Sequence, residues 1–171
     1  MSKFQHPQQG AGTISIASLD TGITVNAQYN PKELEIKKTV PWSKTNPANG
    51  TTQSAQSGQS SKGINLEFTG AEGRTMTLEL MFDGYEKNMP ISADVESLNT
   101  MASVLEPDSQ DETKRRPHLC LVVWGATLTK FTCVIESITT KYTMFSSTGI
   151  PLRATCTLGL KEADSVTGKK Q

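Results

Sequence analysis

The segment Leu152–Leu160 alternates without a break. Leu152, Ala154, Cys156, Leu158 and Leu160 share one parity; Arg153, Thr155 and Thr157 share the other, which Lys161 continues. A period of two over this length describes a strand with one buried and one wet face, and it leaves no helical reading. Ser146-Ser147-Thr148-Gly149 and Pro151 precede it. Proline opens a strand where no ladder donor is required, and glycine takes the positive φ that a hairpin loop asks for. The other arm of this long hairpin runs back to Trp124. Its apolar residues stand first at odd positions, Phe131, Cys133 and Ile135, and then at even ones, Ile138, Tyr142 and Met144. That change of parity predicts a β-bulge at Glu136-Ser137. Long, bent and bulged hairpins are devices for closing sheets into barrels.

Other segments add strands. Ile14 and Ile16, then Ile23, Val25, Ala27 and Tyr29, alternate on either side of Asp20-Thr21-Gly22 and predict a first hairpin. Asn30-Pro31 turns the chain, and Leu34, Ile36, Val40 and Trp42 predict a third strand. Ile64, Leu66 and Phe68, then Met76, Leu78, Leu80 and Phe82, predict a second hairpin around Gly70-Ala71-Glu72-Gly73. Leu119–Trp124 is apolar on both faces, as a central strand is. One helix is expected after Ser92, with Val95, Leu98, Met101, Ala102 and Leu105 at helical spacing, Asp94 and Glu96 in the first turn, and Pro107 closing it.

At 171 residues the chain fits one domain, placed at 13–162. The polar, glutamine-rich residues 1–12 predict a flexible N-terminal arm, and residues 163–171 a C-terminal tail. The serine-, threonine- and glycine-rich residues 43–62 predict a long polar loop, because they cannot bury enough to offset their ordering entropy. Within it Asn49-Gly50-Thr51 fits the glycosylation pattern, which means little without a secretion signal. Residues 108–116 read as a solvated connection. Lysine plus arginine balance aspartate plus glutamate, 17 against 17, which argues against nucleic acid as a partner. Met1–Gly12 has no signal-peptide pattern and no apolar run approaches a membrane span, so synthesis and folding in the cytoplasm are expected, with no membrane partner.

Reactive groups do not converge. His6 lies in the arm and His118 just before a strand. The spacing of His118, Cys120 and Cys133 does not fit a closed zinc site, and Asp108, Asp111 and Glu112 lack the spacing and central glycine of a calcium loop. The three cysteines, with Cys156, sit on apolar strand positions and read as buried reduced thiols. Neither a phosphate-cradling glycine loop nor a nucleophile elbow is present. Glu67 and Glu79 fall on polar strand faces, where solvation outweighs an acid/base role. The expectation is a protein without catalytic, cofactor or metal site.

Several motifs occur together in order: Asn30-Pro31 within Y-N-P-K-E-L, M-F-D-G-Y-E from Met81 to Glu86, Arg116-Pro117 before the W-G strand, and Y-T-M-F-S-S-T-G-I-P-L-R-A. In these the chain resembles the tube-type domain of contractile injection systems, phage-tail-like particles of bacteria. The similarity covers 27–162 apart from the serine-rich loop. It is nearest to the baseplate-hub adaptor, which carries this domain before a LysM domain. No LysM domain is expected after Glu162 here, so a peptidoglycan-binding role is not carried over, and a short tube-initiator ring remains open. The resemblance implies a mainly β fold, an antiparallel β-barrel or sandwich of the tail-tube type with a helix at its side. It also implies a homohexameric ring between the trimeric spike and the inner tube subunits, touching baseplate or sheath components. In such a ring, the faces bearing Asn65, Glu67, Thr75, Thr77 and Glu79, or Arg153, Thr155 and Thr157, are expected to line a lumen. The polar loop is expected to order against an adjacent ring or an outer component. The rival readings are a monomeric β-barrel carrier of an apolar ligand, which requires an internal cavity, and a hydrolase with an unrecognised site.

Overall fold

The structure, a computed structural model, describes residues 12–44, 64, 66–87, 89–125 and 128–167. In chain order the strands are β1 (Ile14–Ser18), β2 (Thr24–Asn26), β3 (Glu35–Lys37), β4 (Trp42–Lys44), β5 (Leu66–Phe68), β6 (Thr75–Asp83), β7 (Cys120–Trp124), β8 (Leu128–Phe145) and β9 (Pro151–Glu162). One α-helix, α1 (Ser92–Ala102), and a 3-10 turn at Glu112–Lys114 complete the described elements. Contacts divide the chain into two compact units, one built on residues up to 37 and from 74 onward, the other on 38–73.

The first unit is a seven-stranded sheet in the order β2-β1-β7-β8-β9-β6-β3, with every neighbouring pair antiparallel. Among the described residues the fold is therefore mainly β with a single helix, as expected. The sheet ends at β2 and β3 and is not closed into a barrel; it is sandwich-like. Its flanks curl toward one another, since Ile14 of β1 lines the same small hollow as Ile36 of β3 and Met76 of β6. The concave face is the core. Leu152, Ala154, Cys156, Leu158 and Leu160 of β9 are buried, as are Met76, Leu78, Leu80 and Phe82 of β6. The helix packs against β8 and β2 and buries Val95, Leu98 and Met101, three positions at helical spacing.

The hairpin β8–β9 turns through Ser146–Ile150 with Gly149 at φ 83°. The expected bulge is present: Ile135 faces Leu160 and Ser137 faces Gly159, so Glu136 is the extra residue. A Cβ on Gly159 would lie 2.5 Å from the Ser137 hydroxyl, which is why the residue opposite the bulge has no side chain. The register slips again around Met144, which faces Arg153 instead of continuing the apolar side of Ile138 and Tyr142.

Three local expectations are corrected. The third strand is split, because residues 38–41 leave the ladder between β3 and β4. The second hairpin does not form: β5 pairs with β4, and β6 takes β9 and β3 as partners, so long-range pairing displaces the local turn. The helix stops at Ala102, short of Leu105, because Val104 bridges Pro117 and the Leu105 N–H donates to Arg116 O.

The second unit is the two-stranded β4–β5 sheet, with Trp42 opposite Phe68 and Lys44 opposite Leu66. The rings of Trp42 and Phe68 meet edge to face at 5.6 Å. The polar loop expected at 43–62 begins with Ser43 and Lys44 in β4; its residues from 45 on lie outside the described residues, as do 1–11 of the expected arm and 168–171 of the tail.

Candidate functional site

The convex face of β6, β9 and β8 gathers most of the expected lumen-facing residues. Register fixes the rows: Glu79 faces Thr157, which faces Thr139; Met81 faces Thr155, which faces Lys141; Thr77 faces Gly159, which faces Ser137; Thr75 faces Lys161. Thr75, Thr77, Glu79, Arg153, Thr155 and Thr157 therefore share one surface, opposite in parity to the core. Glu67 stands in the second unit, on β5 opposite Ser43 and exposed, and Asn65 lies outside the described residues. Arg153 is not free: its Nε donates to Asp83 Oδ2 at 2.9 Å, closing an ion pair across β6 and β9. That guanidinium, helped by the Tyr85 N–H, holds the Asp83 carboxyl below its ordinary range. On the opposite, core side of the sheet, at the far end of β9, Arg74 binds Glu162, and its guanidinium lies 5.3 Å from the Phe131 ring centroid.

Thr139, Lys141 and Lys161 belong to the same surface, although the sequence reading did not include them among its candidates. The parity change at the bulge already implied the first two, since moving Ile138 and Tyr142 to the core side moves Thr139 and Lys141 to the other.

Two backbone edges flank this face. The β7 partner of β8 reaches only to Cys133, and among the described residues no second strand pairs with β8 beyond it. On the far side, β3 covers β6 only over Thr75–Thr77. The ladder shows which groups are left over. Glu162 N–H donates to Arg74 O and Leu152 O accepts from Gly84 N–H, so even-numbered residues of β9 bond toward β6 and odd-numbered ones toward β8. Thr139 and Lys141 therefore bond to β9, whereas Ile138, Thr140 and Tyr142 turn their N–H and C=O groups outward. On β6 the outward residues are the odd ones. Thr77 meets β3, Asp83 N–H is capped by Gln28 Oε1 at 2.7 Å, and Glu79 and Met81 lie between them.

The other chemistry tested is weak. Ser18, His118 and Asp20 are the residue types of a hydrolytic triad, and Ser18 Oγ lies 2.8 Å from His118 Nδ1. Both residues are only 3 % exposed, however, and the hydroxyl also accepts from the N–H groups of Asp20 and Thr21. That arrangement ties a turn and offers no nucleophile to a substrate. The hollow beneath Ile14, Met76 and Phe131 has a volume of only about 20 Å³, and the roomier ones, about 380 Å³ beside Asp83 and Ile91 and about 390 Å³ beside Tyr85 and Phe145, are open clefts lined about equally by polar and apolar surface, which does not suit an apolar ligand. Among the described residues no cluster of His, Cys, Asp and Glu is arranged to hold a metal ion. Cys120 and Cys133 face each other across β7 and β8 as free thiols, both pushed by burial to about 12, and Cys156 is raised in the same way.

An open antiparallel sheet with a polar convex face, one flanking helix and unpaired edges is a component shaped for assembly. Residues 14–171 match the family model described as contractile injection system tube protein. This chain belongs to that family. It is accordingly a structural component of the tube type in a contractile injection system, and it assembles with other components of such a particle. The match extends the resemblance seen in the motifs from 27–162 to nearly the whole chain. No curated protein matches the chain. No helix among the described residues of this tube-family protein is long and apolar enough to cross a membrane.

Proposed function

We propose that this tube protein forms a homohexameric ring whose wall is the β6–β9–β8 ribbon. The observation that carries the reading is the pair of unpaired edges on either side of one polar face. β6 and β8 are each antiparallel to β9 and so run parallel to one another. The β8 edge of one copy then meets the β6 edge of the next as a parallel pair, and closing the ring removes both edges. The convex face turns inward, so that Thr75, Thr77, Glu79, Arg153, Thr155 and Thr157 line the lumen, with Asn65 and Glu67 as further candidates from the other unit. The body of the ring is the domain at 13–162, with the arm at 1–12, the polar loop at 43–62 and the tail at 163–171 left for contacts with neighbours.

Within the particle we place the ring at the baseplate hub, as the adaptor between the trimeric spike and the inner tube, in contact with baseplate or sheath components. The motifs shared with the hub adaptor support this position. The family description supports a second one, an inner-tube or tube-initiator subunit. Electron microscopy of particles produced with and without the protein separates them. An adaptor leaves free tube that lacks its spike junction, whereas a tube subunit leaves no tube.

A further inference from the structure

A second polar assembly lies away from the wall face, where the Ser18–Ile23 turn between β1 and β2 meets residues 116–119 ahead of β7. Ser18 Oγ accepts from Asp20 N–H and Thr21 N–H, both at 3.2 Å, and stands 2.8 Å from His118 Nδ1. A hydroxyl has two lone pairs and one proton. With the lone pairs facing two amides, the proton points to Nδ1, so His118 is neutral and carries its own proton on Nε2. Asp20 makes the second link. Its carboxylate accepts from Arg116 at 2.8 and 2.9 Å and from Leu119 N–H at 2.8 Å.

We infer that this cluster is an acid-released latch: protonating His118 opens the Ser18–Ile23 turn from the 116–119 segment while the rest of the sheet stays folded. A proton on Nδ1 would aim a donor at an oxygen whose lone pairs are both in use, and the serine proton would lose its acceptor. The charged and titratable groups around the ring are few. Arg116 opposes a positive imidazole, Asp20 favours it but is engaged by Arg116, and the Cys120 thiol donates to His118 O. Glu106 and Lys114, on the neighbouring connection, neutralise one another. Burial, foremost, lowers the imidazole below its ordinary value; Asp20 raises it by less, and Arg116 lowers it by less still.

The sign follows from linkage. The opened turn binds the proton at the ordinary imidazole value of 6.5 and the closed one only at lower pH, so the latch is whole above that value and weakens as pH falls. Asp20 is itself held below its ordinary range by Arg116 and stays ionised throughout this window. The inference does not depend on the ring reading, since the turn lies on the β1–β2 flank.

Native-state hydrogen exchange of the full chain tests it, with intrinsic rates corrected for pH. Between about pH 7.5 and about pH 5, the opening constants of the Asp20, Thr21 and Leu119 amides are expected to rise by up to about thirtyfold. Those of Leu78 and Leu158 report global unfolding, which also frees His118, so they carry the same pH factor but should stay orders of magnitude smaller at every pH. His118→Asn keeps an acceptor near the Nδ1 position and should abolish the pH dependence. If that variant does not fold, the imidazole titration of native His118 by NMR serves instead, and its midpoint must coincide with the loss of amide protection. Unchanged protection at the three amides, opening constants there no larger than those across β6 and β9, a pH dependence that survives His118→Asn, or His118 titrating near its ordinary value with the turn still protected would each overturn the latch.

Discussion

Tyr142→Pro is expected to abolish assembly while leaving the monomer folded. Tyr142 sits on the unpaired side of β8, 42 % exposed as a residue and with its N–H turned away from β9. Proline is tolerated at such an edge because no existing ladder bond is lost, but it offers the next copy no donor. A net contribution of about 0.5–1.5 kcal/mol per backbone hydrogen bond, lost at each of the proposed six seams, amounts to roughly 3–9 kcal/mol per ring. Even the lower end is about a hundredfold in an assembly constant. The check is circular dichroism of the isolated chain, which should match the native spectrum, alongside electron microscopy of particles, which should show none containing the protein. Lys141→Pro is the contrasting variant. Its N–H bonds to β9, so it should damage the monomer itself.

The second large effect concerns the core beneath the wall. Phe82 is fully buried at the end of β6, opposite Ala154 and on the side away from the polar face. Phe82→Ala removes most of a large side chain from a site walled by strands that cannot collapse without breaking ladders. The expected cost is about 3–5 kcal/mol. In a chain of 171 residues this corresponds to a fall in Tm of roughly 6–20 °C, read by calorimetry or thermal circular dichroism. Thr157→Ala, one strand away on the opposite face, should change Tm little, because the threonine is exposed and makes no side-chain contact that holds the sheet.

Period-two patterning was legible wherever one face is buried and the other wet. It placed β9, β6 and the bulge at Glu136, because a one-residue slip would exchange every core side chain with a solvent-facing one, whereas β7 was read from an unbroken apolar run. It failed where strands are short or apolar on the surface. Ile64, Leu66 and Phe68 alternate as a core strand does, yet all three are exposed and β5 pairs with β4. Sequence proximity favoured β5–β6, and nothing local records that β6 finds a longer partner in β9. The helix start was legible and its end was not, since Val104 and Leu105 leave the helix for long-range bonds to Pro117 and Arg116.

The polar face was half legible. Alternation assigned Thr75, Thr77, Glu79, Arg153, Thr155 and Thr157 to wet sides, but only register shows that these sides are one surface, and that Arg153 is committed to Asp83. The free edges were not legible at all. Which amides point outward depends on where β7 and β3 stop, a property of pairing that no residue type announces. The latch was hidden for a similar reason. Ser18 and His118 are a hundred positions apart in the chain, and only the β1–β7 pairing brings them together.

Cryo-electron microscopy of assembled particles resolves the wall strand by strand. The expected map shows rings in which β8 of one copy runs parallel to β6 of the next, with Thr75, Thr77, Glu79, Thr155 and Thr157 bordering a water-filled channel. A map in which these side chains are packed in a dry interface, or in which the outward amides of Ile138, Thr140 and Tyr142 meet no neighbouring strand, would contradict it.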